Sequence, residues 1–334
     1  MNTRRNDPRI IFVVGMARSG TSWIAKVLSF DSTFNYFCEP DNHVHVAGAQ
    51  RYFHSLYLTR DRGDEAFDQL IDRAVRGEVS TAFTRKEDVR VLVERMPWLG
   101  ILRPYLHRLL PRRRSVLLKL IASNLALDRL AARYPDARQV YIVRHPCGVF
   151  ASRKRLGWTP QPQRLLEDAV LVRDHLEPYQ ELIASAGTYW EKAGAYWGAI
   201  NYVVMRQTPP NGPRTILHYE WLCADPVPHF QALYRHLGLE WNKRAEAFLS
   251  NRERLDHRPY SLRRYPPNQI AAWQKEVTPE DQAACRQFVE PFGLPYYRDF
   301  QPDVDQPAWF TSEAESLTSK GVAVDQAEVH QTTI

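Results

Sequence analysis

The sequence predicts a three-layer α/β fold with a central parallel sheet flanked by helices, and three observations carry that expectation. Short β-branched and aromatic runs recur along the chain; stretches with helical apolar spacing alternate with them; and a glycine-containing loop joins the first run to the first helix. Ile10-Ile11-Phe12-Val13-Val14 is the first of these runs, continuous enough to be buried on both faces of a parallel sheet. Residues 21–29 come next as a helix, with Trp23, Ile24, Val27 and Leu28 at helical spacing.

The pattern then repeats. Residues 116–120 read as a strand, 125–133 as a helix, and 139–143 and 215–219 as two more strands. Further helices are expected at about 60–76, 164–183, 187–206 and 228–238. Residues 84–114 are rich in arginine and read as irregular helix and loop. A single domain is expected over residues 1–300. Residues 301–334, dominated by Ser, Thr, Glu and Gln without apolar periodicity, are expected to be a disordered acidic tail.

With 334 residues and 44% hydrophobic content, the chain can bury a substantial core, which excludes disorder of the whole. The apolar run from Ile10 to Gly15 is too short to span a bilayer, and Arg18 keeps it from extending. A cytoplasmic protein without a leader or membrane segment is therefore expected. Cys38, Cys147, Cys223 and Cys285 lack the spacing of a zinc site or disulfide framework, so reduced structural thiols and no metal are expected. The tail carries six acids against Lys320 alone, so the net charge of +6 conceals a much more basic body. Such a body suits an anionic ligand.

Gly15-Met16-Ala17-Arg18-Ser19-Gly20-Thr21-Ser22 has the two glycines of a GxxxxGK[ST] phosphate loop at the right separation, between a strand and a helix. Thr21 stands where the lysine belongs, Ser22 keeps the hydroxyl, and Arg18 places a cation inside the loop. Backbone N–H groups and the helix N-terminus still make an anion cradle, so the expected fold is P-loop-like. An ATP-dependent kinase needs the lysine and a metal-binding carboxylate after a later strand. Residues 139–143 instead lead into Arg144-His145-Pro146, which favours direct cationic contact with an anion.

The loop, through Arg18-Ser19-Gly20-Thr21-Ser22-Trp23, resembles the 5′-phosphosulfate loop of sulfotransferases that use 3′-phosphoadenosine 5′-phosphosulfate (PAPS). Arg144 to Ser152 is similar to that family's 3′-phosphate element, an arginine ending a strand and a serine eight residues later. Tyr219-Glu220-Trp221-Leu222 and Asp225-Pro226 resemble a further family segment, and Arg263, Arg264 and Trp273 fall where the family closes a basic loop over the nucleotide. The resemblance implies PAPS as co-substrate, without a metal, and transfer to an acceptor hydroxyl. Arg18, Ser19, Gly20, Thr21, Ser22, Trp23, Arg144, Ser152, Arg263 and Arg264 are the donor-binding candidates it implies.

Such a transfer needs a base. Lys119 matches the strand-end lysine of the phenol- and steroid-sulfating branch, but Ile121 stands where that branch has its histidine. Cys38-Glu39-Pro40 with His43 and Val44 resembles a segment of the carbohydrate sulfotransferases, which implies a carbohydrate or glycolipid acceptor. Glu39 is the first candidate base, its alternative a helix-capping carboxylate; Pro40 suits a helical first turn that sets Glu39 and His43 one turn apart. His43 and His45 come second. Arg18 and Lys119 complete the catalytic candidates. Trp98, Trp158 and Trp197 read as core packing or as a sugar platform. The competing functions are a P-loop ATP-dependent kinase and a non-catalytic polyanion binder built on Pro111-Arg112-Arg113-Arg114 and Arg153-Lys154-Arg155; no recognition-helix or aromatic RNA-binding signature supports nucleic acid.

Overall fold

The computed structural model describes residues 9–102, 105–108, 115–207, 214–250, 266–297 and 299–302. Arg263, Arg264, the cluster at 111–114 and the expected tail from residue 303 onward lie outside them.

Among the described residues, five strands form one sheet: β1 (Ile10–Gly15), β2 (Phe34–Cys38), β3 (Ser115–Leu120), β4 (Arg138–Val143) and β5 (Arg214–His218). Their order is β2-β3-β1-β4-β5, every pair is parallel, and β1 lies at the centre. Alternation along the strands splits the core in two. Phe12, Val14, Leu118 and Tyr141 face one apolar cluster with the helices Glu65–Val75, Leu127–Arg133, Pro146–Lys154 and Tyr189–Arg206, while Ile11, Val13, Leu117 and Val140 face another with Thr21–Leu28 and Pro226–His236. These are the three layers expected.

β2 was not foreseen. It is an outer strand, yet all five residues are buried, and the Cys38 N–H donates to the Thr84 carbonyl at 2.8 Å, so residues beyond the strand cover its free edge. β5 ends at His218, and Tyr219, expected within the strand, opens the helix Tyr219–Ala224. The helix expected at 164–183 is instead five short helical pieces from Pro162 to Ser185. Asp168 caps one of them by accepting from the Val170 and Leu171 N–H groups, and Pro178 removes a donor from another. The arginine-rich region contains the helix Lys86–Arg95 and the 3₁₀ turns Pro97–Leu102 and Leu106–Arg108.

Candidate active site

A parallel sheet delivers all its carboxyl ends to one edge, and the order around β1 makes that edge a switch point, the usual location of a ligand crevice. A cleft of about 1170 Å³ opens there. Its walls bring together Arg18, Gly20, Thr21, Ser22, Trp23, Glu39, Lys119, Arg144 and Ser152. Ser19 is buried beneath the loop and does not line the cleft.

The loop after β1 is fixed by close approach. A Cβ on Gly15 would stand 2.8 Å from the Ile142 carbonyl oxygen, and one on Gly20 would stand 2.3 Å from the Tyr219 ring. Gly20 also has φ +93°, a left-handed conformation that side chains disfavour. Arg18 adopts φ 81° despite its side chain, and residues on the β4 side hold it there. Arg144 Nη1 donates to the Arg18 carbonyl at 3.0 Å, Arg153 Nε to the Ala17 carbonyl at 3.1 Å, and Arg18 Nε to Ser152 Oγ at 2.9 Å.

Arg144, the first residue after β4, lies over the Tyr219 ring, 4.4 Å from its centroid. Gly148 makes room for it, since a Cβ there would meet Arg144 Nε at 3.0 Å. That Nε is buried and finds no acceptor among the described residues, so this wall of the cleft holds a guanidinium N–H suited to a ligand oxygen. His145 is structural: its Nδ1 accepts from the Cys147 N–H and its ring stacks on Trp273 at 4.3 Å. Burial pushes it down to about 3, so it stays neutral. Trp273 therefore lines the cleft through a stack with the residue next to Arg144.

The other half of the cleft comes from the ends of β2 and β3. Lys119, 2% exposed, donates from Nζ to Glu39 Oε1, and Asn42 Nδ2 donates to Oε2 at 2.7 Å. Burial works to raise the Glu39 carboxyl, but the Lys119 ammonium and its hydrogen bond, with Asn42 and Lys86, outweigh it and leave the carboxyl below its ordinary value. No helix begins here. Glu39 has φ 52° and residues 40–48 form turns, so the expected one-turn spacing of Glu39 and His43 does not exist.

Asp41 explains the turn. Fully buried, it accepts from Ile121 N at 3.0 Å, Ala122 N at 2.7 Å and Ser123 Oγ at 2.8 Å, tying the turn after β2 to the turn after β3. Burial first, with the Glu39 charge adding to it, raises its carboxyl to about 6. Sequence reasoning overlooked this brace, because Asp41 stands among Glu39, Asn42 and His43 and nothing local marks it as the buried member of that polar run.

The histidines separate. His43 does not line the cleft and sits edge-on to His54 at 5.6 Å, whereas His45 does line it, stacked on Phe83 at 3.8 Å. Trp197 is core and donates to the Arg144 carbonyl at 2.9 Å, but Trp158 lines the cleft at 44% exposed and Trp98 is 71% exposed, so neither is core. Of the basic cluster, Arg153 holds the loop, Lys154 lies over the Tyr189 and Trp190 rings, and Arg155 pairs with Glu276. All four cysteines are buried and unpaired.

The fold and cleft define an α/β protein with a lysine-free phosphate loop at the switch point of a parallel sheet, opposed by arginine at the end of the neighbouring strand. The chain belongs to the sulfotransferase family, whose sequence profile matches residues 8–243. No curated protein sequence matches it significantly. Among solved structures it is similar to a sulfotransferase domain from the curacin biosynthetic pathway, at 14% identity and TM-score 0.41, over 94% of this chain and 98% of that one. It is also similar to the sulfotransferase STF1 from Mycobacterium tuberculosis H37Rv, at 18% identity and TM-score 0.40, over 86% and 77%. Mouse sulfotransferase SULT7A1 complexed with PAP is similar at 14% identity and TM-score 0.37, over 84% and 82%.

Proposed function

We propose that the enzyme transfers the sulfuryl group of PAPS to a hydroxyl of a carbohydrate or glycolipid, by in-line displacement with Glu39 as base. The observation that carries this reading is the Glu39–Lys119 pair in the same cleft as the loop of Arg18 to Trp23. Arg144 and Ser152 are assigned to the 3′-phosphate, with Arg18 shared between Ser152 and the donor. The hydroxyls of Thr21 and Ser22 and the N-terminus of the first helix face the 5′-phosphosulfate. Arg263 and Arg264 are assigned to the nucleotide from the sequence resemblance alone.

In the reaction, the acceptor oxygen bonds to sulfur while its proton passes to the Glu39 carboxylate. The bond from sulfur to the bridging oxygen breaks, and its electron pair leaves with 3′-phosphoadenosine 5′-phosphate. Glu39 is ionised when the acceptor arrives, because Lys119 holds it so. As the sulfate draws Lys119 toward itself, Glu39 loses its cation and becomes a stronger base when the proton must move. A cytoplasmic setting fits four buried, unpaired cysteines.

The test is mass spectrometry of a panel of alcohols incubated with enzyme and PAPS, watching for an added sulfuryl mass. Sulfation of sugar hydroxyls in preference to simple phenols is expected. Preference for phenols overturns the acceptor assignment, and phosphate transfer from magnesium ATP overturns the reaction itself.

A further inference from the structure

The excursion after residue 84 has a small core of its own, with Val89, Leu99 and Leu106 buried together and Leu92, Val93 and Met96 packed against them. Its outer face is apolar as well. Of the seven exposed large hydrophobic side chains among the described residues, four are here: Trp98 (71% exposed), Ile101 (91%), Leu102 and Tyr105. Side chains three apart in a 3₁₀ turn eclipse one another, so Trp98 and Ile101 in Pro97–Leu102 share one face. An exposed apolar patch of this kind marks an interaction site.

The charge of the sequence that carries the patch points to the occupant. From Met96 to Arg114 the sequence holds Arg103, Arg108, Arg112, Arg113 and Arg114 and no acid. Arg108 lies over the Tyr105 ring, 5.6 Å from its centroid, so a cation and an amphipathic aromatic meet at the edge of the apolar face. Tryptophan, tyrosine and branched apolar residues in an arginine-rich stretch of sequence without acids match the boundary between acyl chains and anionic headgroups. Exposed apolar and aromatic side chains with arginine in the same stretch are the chemistry of a segment lying on a bilayer, and no helix among the described residues is long and apolar enough to cross one.

The same excursion reaches the active site. Phe83, Lys86 and Glu87 line the cleft, and the helix Lys86–Arg95 runs directly from them to the turn that bears Trp98. The exposed Val44 and Trp158 also line the cleft. We propose that residues 96–102 and 105–108 dock the enzyme on an anionic lipid bilayer and so bring the cleft to an acceptor hydroxyl carried at the membrane surface. This rests on the glycolipid side of the acceptor reading above and narrows it.

Docking is read without donor or acceptor, by co-sedimentation of the full chain with vesicles of phosphatidylcholine alone or mixed with phosphatidylserine. Wild type should sediment with the anionic vesicles, less so at high salt. The double variant Trp98→Ser/Ile101→Ser should bind them more weakly by roughly tenfold or more, having lost two interfacial apolar side chains. Both positions are solvent-exposed, and an unchanged melting temperature confirms that the variant is folded. Wild type that stays in the supernatant, or a variant that binds equally, overturns the docking surface. Self-association that the variant abolishes, without vesicle binding, makes the patch an interface between proteins and overturns it too. Sulfation of a soluble sugar alcohol should be unchanged in the variant while sulfation of a vesicle-embedded glycolipid falls. Failure of both reactions in wild type that still binds vesicles would refute the acceptor class and leave the docking surface standing.

Discussion

Replacing Glu39 by glutamine separates its two roles. Its partner Lys119 is 2% exposed and Glu39 15%, so the pair is largely out of water. Removing one charge of a buried pair costs about 3–5 kcal/mol, because the other is left without compensation. Glutamine keeps one acceptor oxygen for Lys119, and Glu39 touches solvent, so about 3 kcal/mol is expected for Glu39→Gln. Adding Lys119→Met should return a large part of that loss, since no charge then remains buried. The cost should also depend on pH. Burial opposes ionisation of Glu39, but Lys119 prevails and holds its pKa below the ordinary 4.5. A depressed carboxyl contributes its full stability above the unfolded value and loses it as pH falls through the folded value, so wild type and Glu39→Gln should converge in acid. Catalysis gives the second readout: a lost general base should slow single turnover by roughly a hundredfold or more, with nucleotide affinity nearly unchanged. Urea unfolding at several pH values and single-turnover rates on the same samples measure both. Near-normal turnover per folded molecule, with the stability loss intact, would reduce Glu39 to a structural partner of Lys119. Collapse of turnover in His45→Ala instead would move the base to the cleft-lining histidine of this segment.

Arg144→Ala should weaken 3′-phosphorylated nucleotides by about 2–4 kcal/mol, the scale of a lost charge-assisted contact, and adenosine 5′-phosphosulfate far less. Titration calorimetry showing equal losses would mean that Arg144 acts only by holding the Arg18 carbonyl. Gly20→Ala places a Cβ 2.3 Å from the Tyr219 ring at φ +93°, so left-handed strain and a displaced ring together should cost about 2–4 kcal/mol. Thermal unfolding should show a smaller cost in a Tyr219→Ala background, and equal costs in both backgrounds would refute the clash.

Four of the five strands were legible in the sequence: β1, β3, β4 and β5 each hold a short run of aliphatic, aromatic or β-branched residues that is buried in the sheet. β2 escaped because Phe34-Asn35-Tyr36-Phe37-Cys38 carries a polar residue and follows a Ser-Thr turn, and its burial depends on coverage by residues around Thr84 that no local signal announces. The phosphate loop was legible because its glycines answer to local geometry, though what they approach, the Ile142 carbonyl and Tyr219, is not. Pro40 misled for a related reason. Proline after an acid is a good helix start in isolation, but the three hydrogen bonds received by Asp41 fix the turn from outside. The ion pair of Glu39 with Lys119 joins residues far apart in sequence and follows only from the register that sets Cys38 beside Lys119. Trp98 looked like core because tryptophan usually is, and the turn at 97–102 has too little protein over it to cover the ring.

The sheet order divides the labour of the site. On the β4 and β5 side of the central strand, Arg144, Ser152, Arg153 and Tyr219 all bear on the loop of residues 15–20, through hydrogen bonds to its carbonyls, to the Arg18 guanidinium, or by packing on Gly20. On the β2 and β3 side, Glu39, Asn42, Asp41 and Lys119 are bonded among themselves and to the turn after β3, and none of their hydrogen bonds described above reaches the loop. The two networks meet across the cleft and along β1, whose Val13 pairs with Lys119 on one side and with Val140 on the other. Substitutions in the first network should therefore act on donor affinity, and substitutions in the second on turnover and acceptor choice. On the proposed assignment, the donor half is the one marked by two short motifs, whereas the acceptor half is built from contacts between residues far apart in sequence, such as that of Glu39 with Lys119.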